Sequence, residues 1–140
     1  MPRVLPELPE TFWAYLAGLV DGEGSMSVYA NGPRLSISNT HLLTLEWVRD
    51  SLSYGRVWQL QQSEMATRPC YQWDCGARVM RALLPKILPY LRIKQERAEA
   101  LLEYMDEINY NNTKGLPEEM KVRRAVLRES LQIRGHVRER

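Results

Sequence analysis

Apolar side chains at helical spacing mark the first structural element of the chain. From Phe12 to Val20 they recur every three or four residues, which places them on one broad stripe of a helix. Pro9-Glu10 suits the first turn of such a helix, and Gly22 and Gly24 are typical of its end. The pattern predicts a helix over about 10–22.

Two later segments alternate apolar and polar residues with a period of two, as half-buried β-strands do. The first covers 25–38 and is interrupted by Asn31-Gly32-Pro33, a sequence typical of a hairpin turn. The second covers 56–75, with SEMATRP joining its two strands. Val57 interrupts the second alternation, so a bulge or a shifted strand start is an alternative there.

Helical spacing returns between the hairpins and after them. Asn39-Thr40 is a candidate N-cap for a helix ending near Leu52, and the segment after Cys75 is helical and bent at its two prolines. Two C-terminal helices are predicted over about 95–133. This order predicts an α+β fold in which four strands form one antiparallel sheet with helices on its apolar face.

The other face of the predicted sheet is polar and needs either water or a partner. An ordinary solvated face is one interpretation, since the strands carry little positive charge. Short amide and hydroxyl side chains also suit hydrogen bonding to the edges of base pairs, which is the alternative. The candidate DNA-binding residues on this face and its loops are Ser25, Ser27, Tyr29, Asn31, Arg34, Ser36, Ser38, Gln59, Gln61, Arg68, Gln72 and Asp74.

Composition narrows the class of protein. The 140 residues suit a single domain over 1–140, and 44% hydrophobic with 26% charged residues is ordinary for a globular protein. No apolar run is long enough to span a membrane and no signal peptide is evident, so we expect a soluble intracellular protein, in the cytoplasm or an organelle. Two cysteines without a CxxC pair, and two histidines, argue against a structural zinc site.

Three stretches resemble a known family. LAGLVDGEG, at 16–24, is similar to the motif that defines the LAGLIDADG homing endonucleases and differs from it only at Val20, Gly22 and Glu23. LPYLRIK resembles the family's stretch that ends in an active-site lysine, here Lys94. SNTHLLTLEWVRDSL resembles the helix that joins the two hairpins, and the likeness covers about 10–110.

The resemblance implies an αββαββα saddle whose sheet lies in the major groove of double-stranded DNA. Family members with one motif are homodimers that cut long, near-palindromic sites in both strands and leave short 3′ overhangs. Mg²⁺ is the implied cofactor, with Mn²⁺ expected to substitute and Ca²⁺ expected to bind without supporting cleavage. The implied partners are therefore DNA and a second copy of the chain, with no membrane.

Small residues in the motif helix favour self-association. Ala17, Gly18 and Gly22 would allow a second helix to approach closely, and Asp21 would support the same interface; packing of the helix against its own domain is the alternative. Glycine in a helix costs about 1 kcal/mol relative to alanine, so two of them need a reason.

The same dimer would bring two copies of Glu23 together at the helix ends. Carboxylates and main-chain carbonyls clustered beside phosphates favour a hard divalent cation, so Glu23 and the carbonyl of Gly22 are the predicted metal ligands. Glu23, Lys94 and His41 are the candidate catalytic residues, the latter two by their match to family positions. An exposed lysine and a helix-capping or surface imidazole are the alternatives for Lys94 and His41.

Two other functions remain as alternatives. A nucleic-acid binding module, such as an intron maturase or a DNA-binding regulator, could use the same scaffold without cleavage. An unrelated metabolic α+β enzyme would match only by chance, which the shared order of motif, hairpins and lysine argues against.

Overall fold

Helices and strands follow one another in the order that the hydrophobic pattern predicts. The computed structural model describes residues 3–65, 67–110 and 118–131. Their elements are α1 (Glu10–Glu23), β1 (Gly24–Tyr29), β2 (Gly32–Asn39), α2 (Leu42–Leu52), β3 (Arg56–Gln59), β4 (Tyr71–Gly76), α3 (Ala77–Ile87), α4 (Gln95–Tyr110) and α5 (Glu118–Leu131). The predicted α+β class is confirmed.

One antiparallel sheet contains all four strands, in the order β1-β2-β4-β3. The two hairpins therefore join through β2 and β4, which occupy the centre. Across the middle of the sheet, Ser25, Ser36, Asp74 and Arg56 stand opposite one another in a single row. Residues directly opposite each other share a face, so this row belongs to one side of the sheet.

The apolar side of the sheet forms the core together with the helices. Leu35, Ile37 and Trp73 from the central strands are fully buried, and so are Leu16 of α1 and Leu45 of α2. α1, α2 and α3 all contact the central strand β2, so they cover this face. The opposite face carries none of these helices over its centre, as predicted.

The register of β3 corrects the predicted face of its residues. Trp58 lies opposite Gln72, and Gln59 lies opposite Tyr71. Trp58 therefore shares the open face with Gln72, while Gln59 lies on the other face, where it cannot take the predicted part in DNA binding. A shift of one residue exchanges every side chain between faces, and the irregularity at Val57 marked this shift.

The end of α1 leads into β1 without a linker. Gly24 has φ −92° and is not in the left-handed region that helix-ending glycines often adopt. Its importance is steric, because a Cβ there would lie 2.7 Å from the carbonyl oxygen of Val20. This close approach holds Glu23, the last helical residue, at a fixed junction between helix and sheet.

Two opposite charges connect the C-terminal end of α1 with the start of α4. The Asp21 carboxylate accepts main-chain hydrogen bonds from Arg92 (2.8 Å), Ile93 (3.2 Å) and Lys94 (3.0 Å), while the Lys94 ammonium donates to the carbonyl of Asp21 at 2.7 Å. Each charge is unfavourable at the end of its own helix and favourable at the end of the other. The exchange fixes Lys94 beside the motif helix.

Proline affects the third helix less than its sequence predicts. α3 continues through Pro85 to Ile87, and a 3₁₀ turn at Leu88–Tyr90 then contains Pro89. The predicted bend is therefore confined to the end of the helix. The two C-terminal helices agree with the predicted segment as far as Leu131, and the remainder of that segment lies outside the described residues.

A search of the described part of the chain found no helix with the length and hydropathy required to span a membrane.

Gly55 offers a test of the core. It has φ +96°, and a Cβ there would lie 2.1 Å from Nε1 of the fully buried Trp73, whose indole donates to the Tyr54 carbonyl at 3.1 Å. We expect Gly55→Ala to lower the free energy of unfolding by at least about 2 kcal/mol, measured by denaturant titration. Gly76→Ala is the control, because Gly76 has open space and a negative φ, and should change stability by less than about 1 kcal/mol. Equal effects of the two substitutions would contradict this account.

Asp21 predicts a pH-dependent contribution to stability. Burial alone raises the pKa of its carboxyl, but the three main-chain N–H donors and Lys94 outweigh it and leave the pKa below the ordinary 3.8. The contribution is therefore present above about pH 3.8 and is lost as pH falls through the lower folded-state pKa. Asp21→Ala should lower the free energy of unfolding by about 1–2 kcal/mol at pH 7, and this deficit should shrink in acid.

The exposed Asp50 provides the matched control for Asp21. It forms an ion pair with its neighbour Arg49, at 3.0 Å. Asp50→Ala should change stability by less than about 0.5 kcal/mol. An Asp21 deficit that is as small as this, or that does not change between pH 7 and pH 2.5, would refute the role of the helix-end exchange.

Candidate functional site

A groove on the open face of the sheet contains most of the predicted metal-binding and DNA-binding residues. Its floor comes from the strands and one rim from the end of the motif helix. The residues that line it are Gly22, Glu23, Gly24, Ser25, Tyr29, Arg34, Ser36, Ser38, Arg56, Trp58, Gln72 and Asp74. The predicted metal ligands and seven of the predicted DNA-binding residues therefore line one concave surface.

Other predicted DNA-binding residues lie elsewhere. Ser27 is 4% exposed, and its hydroxyl accepts a hydrogen bond from Arg97 of α4 at 3.3 Å, so it is not available to DNA as predicted. α5 also contacts the edge strand β1, which explains this burial. Asn31 in the first turn and Gln61 and Arg68 in the second connection are exposed but lie outside the groove.

Asp74 is at the centre of the groove and is only 3% exposed. Its Oδ1 accepts from Arg34 at 3.1 Å, and its Oδ2 accepts from the Trp58 indole at 2.7 Å, from Gln72 at 3.1 Å and from Arg56 at 3.5 Å. Burial raises the pKa of this carboxyl, but the hydrogen bonds from Trp58, Gln72 and Arg56 and the charge of Arg56 outweigh burial and leave the pKa lowered. Asp74 is therefore an ionised, buried anchor for the side chains around it.

The alternation of apolar and polar residues in β3 places Trp58 on the apolar face, but its pairing with Gln72 puts it in the groove. Its ring lies under the Arg56 guanidinium, with 4.9 Å between the guanidinium carbon and the ring centroid. Arg56 also lines the groove, although it is not among the candidate DNA-binding residues of the sequence. The break in alternation at Val57 was the signal that placed both residues on the open side.

Glu23 is exposed at the rim of the groove. Asn39, the last residue of β2, donates a hydrogen bond from Nδ2 to Glu23 Oε1 at 3.3 Å. The same amide accepts the main-chain N–H of His41 at 2.8 Å through Oδ1. Asn39 therefore links the acid to the start of α2, a role that its sequence context as a helix-cap candidate did not reveal.

His41 is exposed and immediately precedes α2. Its Nδ1 is hydrogen-bonded to Thr44 Oγ1 at 2.6 Å, which fixes the ring against the first turn of the helix. His41 stands at the N-cap position, but its imidazole makes no capping hydrogen bond to the main chain of α2, so the surface-imidazole alternative agrees with this geometry. The main-chain N–H of His41 is also connected with Glu23, because both are hydrogen-bonded to the Asn39 amide. The position of His41 is therefore compatible with the predicted catalytic role as well.

Lys94 is partly buried, and its ammonium caps a carbonyl at the end of α1 through the contact with Asp21. That end of the helix also carries Glu23, so the lysine and the acid belong to the same helix terminus. One of three ammonium N–H groups is used in this contact, which leaves the charge able to act on a neighbouring anion.

The residues at this terminus fit a hard divalent cation. The Glu23 carboxylate is exposed, and its described contact is with a neutral amide; the last carbonyls of α1, including that of Gly22, lie beyond the helix's own hydrogen bonding. Carboxylate and carbonyl oxygens are the donors that Mg²⁺ prefers. Within the described residues of one protomer, no group of three or more His, Cys, Asp or Glu is arranged to hold a metal ion.

The small residues of α1 separate into two sets. Ala17 is fully buried in the protomer's own core and cannot take part in the predicted dimer interface, since its side chain faces inward. Gly18 and Gly22 are exposed, and among the described residues nothing would lie within 4 Å of a Cβ at either. The described part of the fold therefore gives no reason for glycine at these positions, and Asp21 is engaged with α4.

An exposed aromatic patch continues the face of α1 that carries Gly18. Tyr15 is 53% exposed and packs edge-on against Trp47 of α2, which is 42% exposed, with ring centroids 5.4 Å apart. Leu43, also on α2, is 69% exposed and lines an apolar pocket together with Tyr15 and Trp47, separate from the groove on the sheet. Exposed apolar patches of this kind mark interaction surfaces in soluble proteins.

Known structures share this fold. No family profile and no curated protein sequence matches the chain. The homing endonuclease I-CvuI in complex with the I-CreI target, in 2 mM Mg and with the DNA not cleaved, aligns at 19% identity with a TM-score of 0.66, over 87% of this chain and 80% of that chain. I-CvuI with its own target in 2 mM Ca aligns at 18% identity with a TM-score of 0.63, over the same shares.

A third similar structure is the archaeal intron-encoded homing endonuclease I-Vdi141I complexed with DNA. It aligns at 19% identity with a TM-score of 0.60, over 88% of this chain and 84% of that chain. At identities of 18–19%, TM-scores of 0.60–0.66 establish a common fold. Together with a helix that ends in LAGLVDGEG and leads directly into the first hairpin, they show that the chain has the fold of the LAGLIDADG homing endonucleases.

Proposed function

We propose that this protein is a homodimeric, Mg²⁺-dependent endonuclease that cuts both strands of a long, near-palindromic DNA site inside the cell, with 1–140 as one catalytic domain. The observation that carries the proposal is that the exposed Glu23 carboxylate and the polar face of the sheet line one groove. A surface that reads bases and an acid that can hold a cation therefore meet at one edge. The similar I-CvuI and I-Vdi141I structures contain DNA, which supports the same conclusion.

The sheet face is suited to sequence-specific contact with the major groove. Ser25, Ser36 and Ser38 offer hydroxyls, and Arg34 and Arg56 offer guanidinium groups that pair with guanine. The face carries more uncharged hydrogen-bonding groups than cations, which favours readout of base edges over contact with phosphates alone. Arg68 lies in the connection between β3 and β4, and Arg92 lies just before α4. Both are exposed, and they are the proposed phosphate contacts.

Cleavage would depend on the end of α1. Glu23 and the Gly22 carbonyl would hold the divalent ion, which supplies Lewis-acid activation of water and neutralises charge at the scissile phosphate. Lys94 would stabilise negative charge on the phosphate with the N–H groups that Asp21 does not use. His41, whose Nδ1 is held by Thr44, would contact water through Nε2.

Dimerisation explains the features of α1 that one protomer leaves unexplained. Gly18 and Gly22 present bare backbone beside the exposed Tyr15 and Trp47, a combination suited to close contact with a second helix and burial of aromatic surface. A two-fold axis beside Gly18 and Gly22 would bring two Glu23 carboxylates together. Each protomer would then complete a cation site that neither holds alone.

Glu23→Gln tests catalysis separately from binding. The amide keeps the size of the side chain but removes the charge that a cation needs, so cleavage of a selected DNA site in Mg²⁺ should fall by about 100-fold or more. Binding to the same site, measured in Ca²⁺ by gel shift, should change by less than about threefold. When Mg²⁺ is replaced, Mn²⁺ should support cleavage by the wild type but Ca²⁺ should not.

Glu99→Gln is the matched control, because Glu99 is exposed on α4 and away from the groove, and it should cleave at the wild-type rate. A wild-type protein that binds a selected site without cutting it in Mg²⁺ or Mn²⁺ would refute the endonuclease and favour the nucleic-acid binding module. Cleavage that persists in Glu23→Gln would refute the assigned metal ligand.

Gly18→Ala tests the dimer. Alanine should stabilise the helix of the isolated protomer by about 1 kcal/mol, because a Cβ meets nothing there, but should weaken self-association by tenfold or more by separating the two backbones. Sedimentation equilibrium over a range of concentrations would measure the dissociation constant, and denaturant titration at low concentration the protomer stability.

Gly76→Ala serves as the control for this experiment. Gly76 also has open space around it, but it lies at the start of α3, outside the surface formed by Gly18, Gly22, Tyr15 and Trp47. It should leave self-association unchanged. A wild-type chain that stays monomeric at high concentration, with and without its DNA site, would contradict the homodimer.

A further inference from the structure

The centre of the groove contains a carboxylate that is too enclosed to contact DNA itself. Asp74 is 3% exposed, and its two oxygens accept from four side chains, three of them within 3.1 Å. A base edge that approached this face would meet the donors before it met the carboxylate. The contribution of Asp74 to DNA recognition therefore passes through the groups it holds.

Two of these groups are arginines that come from opposite sides of Asp74. Arg34 lies on β2 and Arg56 on β3, while Asp74 is on β4 between them. Their side chains are 37% and 66% exposed, so each guanidinium is held by Asp74 on one side and open to solvent on the other. One buried negative charge thus fixes two positive charges at the middle of the groove, with Glu23 at its rim.

The anchoring determines how each guanidinium is oriented. Arginine presents five N–H groups in a rigid fork, so a hydrogen bond from Arg34 Nη1 to Asp74 sets the direction of the others. Arg56 is restrained twice, by its contact with Asp74 and by stacking on Trp58, whose indole is itself held by Asp74 at 2.7 Å. A fixed fork suits the O6 and N7 acceptors of guanine, whereas a freely rotating arginine contacts phosphates as readily.

We propose that Asp74 is a specificity-determining positioning residue, which holds Arg34 and Arg56 in the orientation that reads two guanines in the DNA site. The proposal rests on the proposed function and adds to it the base identity that the centre of the groove recognises. Asp74 is a candidate for direct contact with DNA by its sequence, but its acceptors are already used within the protein, so it is assigned this indirect role.

Asp74→Asn removes the charge while keeping the shape of the side chain. Selection from a randomised DNA library should give wild-type sites with guanine at two positions in each half-site, and the preference at both should fall by about 5-fold to 150-fold in the variant. Released arginines would contact phosphates, so the dependence of affinity on salt should become steeper by about one charge or more. A purely structural role would lower stability without moving either quantity.

Asp50→Asn is the matched control, because it also removes one negative charge from an arginine pair, on the surface of α2. It should leave both guanine preferences unchanged. Arg34→Ala gives a second test that does not depend on the folding of the Asp74 variant: it should abolish one of the two preferences, and adding Asp74→Asn should lower only the other.

Nitrogen-15 NMR of the arginine side chains tests the anchoring without DNA. The guanidinium groups of Arg34 and Arg56 should rotate slowly in the wild type and fast in Asp74→Asn. Site preference that is unchanged in Asp74→Asn, or free rotation of Arg34 and Arg56 in the wild type, would overturn this inference and leave the endonuclease intact. A wild-type protein without any site preference would overturn the proposed function, and this inference with it.

Discussion

The end of α1 is the point on which the rest of the molecule depends. Gly24 allows the chain to turn directly from helix into strand, and Asp21 and Lys94 connect that turn with the start of α4. Because each charge interacts with the favourable end of the opposite helix, the connection stabilises both termini at once. The position of Glu23 relative to the sheet follows from these two constraints.

Three acidic residues near this region have different roles because their surroundings differ. Asp21 is satisfied by main-chain N–H groups, and Asp74 by two arginines, an indole and an amide. The described contact of Glu23 is a single hydrogen bond from the neutral amide of Asn39. Of the three carboxylates, Glu23 is therefore the one whose surroundings leave a charge to be neutralised by a cation.

The two faces of the sheet have separate roles, one in the hydrophobic core and the other in the proposed recognition of DNA. One face buries large apolar side chains under α1, α2 and α3, which supplies the stability of the fold. The other face needs no helix to cover it, because its polar groups satisfy one another around Asp74 and present their remaining hydrogen-bonding groups to the groove. A satisfied polar network on a sheet suits the recognition of DNA that we propose for this face.

The sequence by itself determined the order of elements, the sheet class and the location of the acid. Periodicities of two and of three to four residues reflect which side chains must leave water, and LAGLVDGEG places Glu23 at a helix end whatever surrounds it. The turn at Asn31-Gly32 and the buried residues of β2 followed the same local rules. These features depend on neighbours along the chain.

Only the tertiary structure decided the pairing between distant segments. The face of β3 depended on its register with β4, which moved Trp58 into the groove and Gln59 out of it. The covering of Ser27 by Arg97, the inward direction of Ala17 and the enclosure of Asp74 all involve residues far apart in sequence. Hydrogen bonds and burial at such sites are set by packing in three dimensions, which hydrophobic periodicity along one strand or helix does not contain.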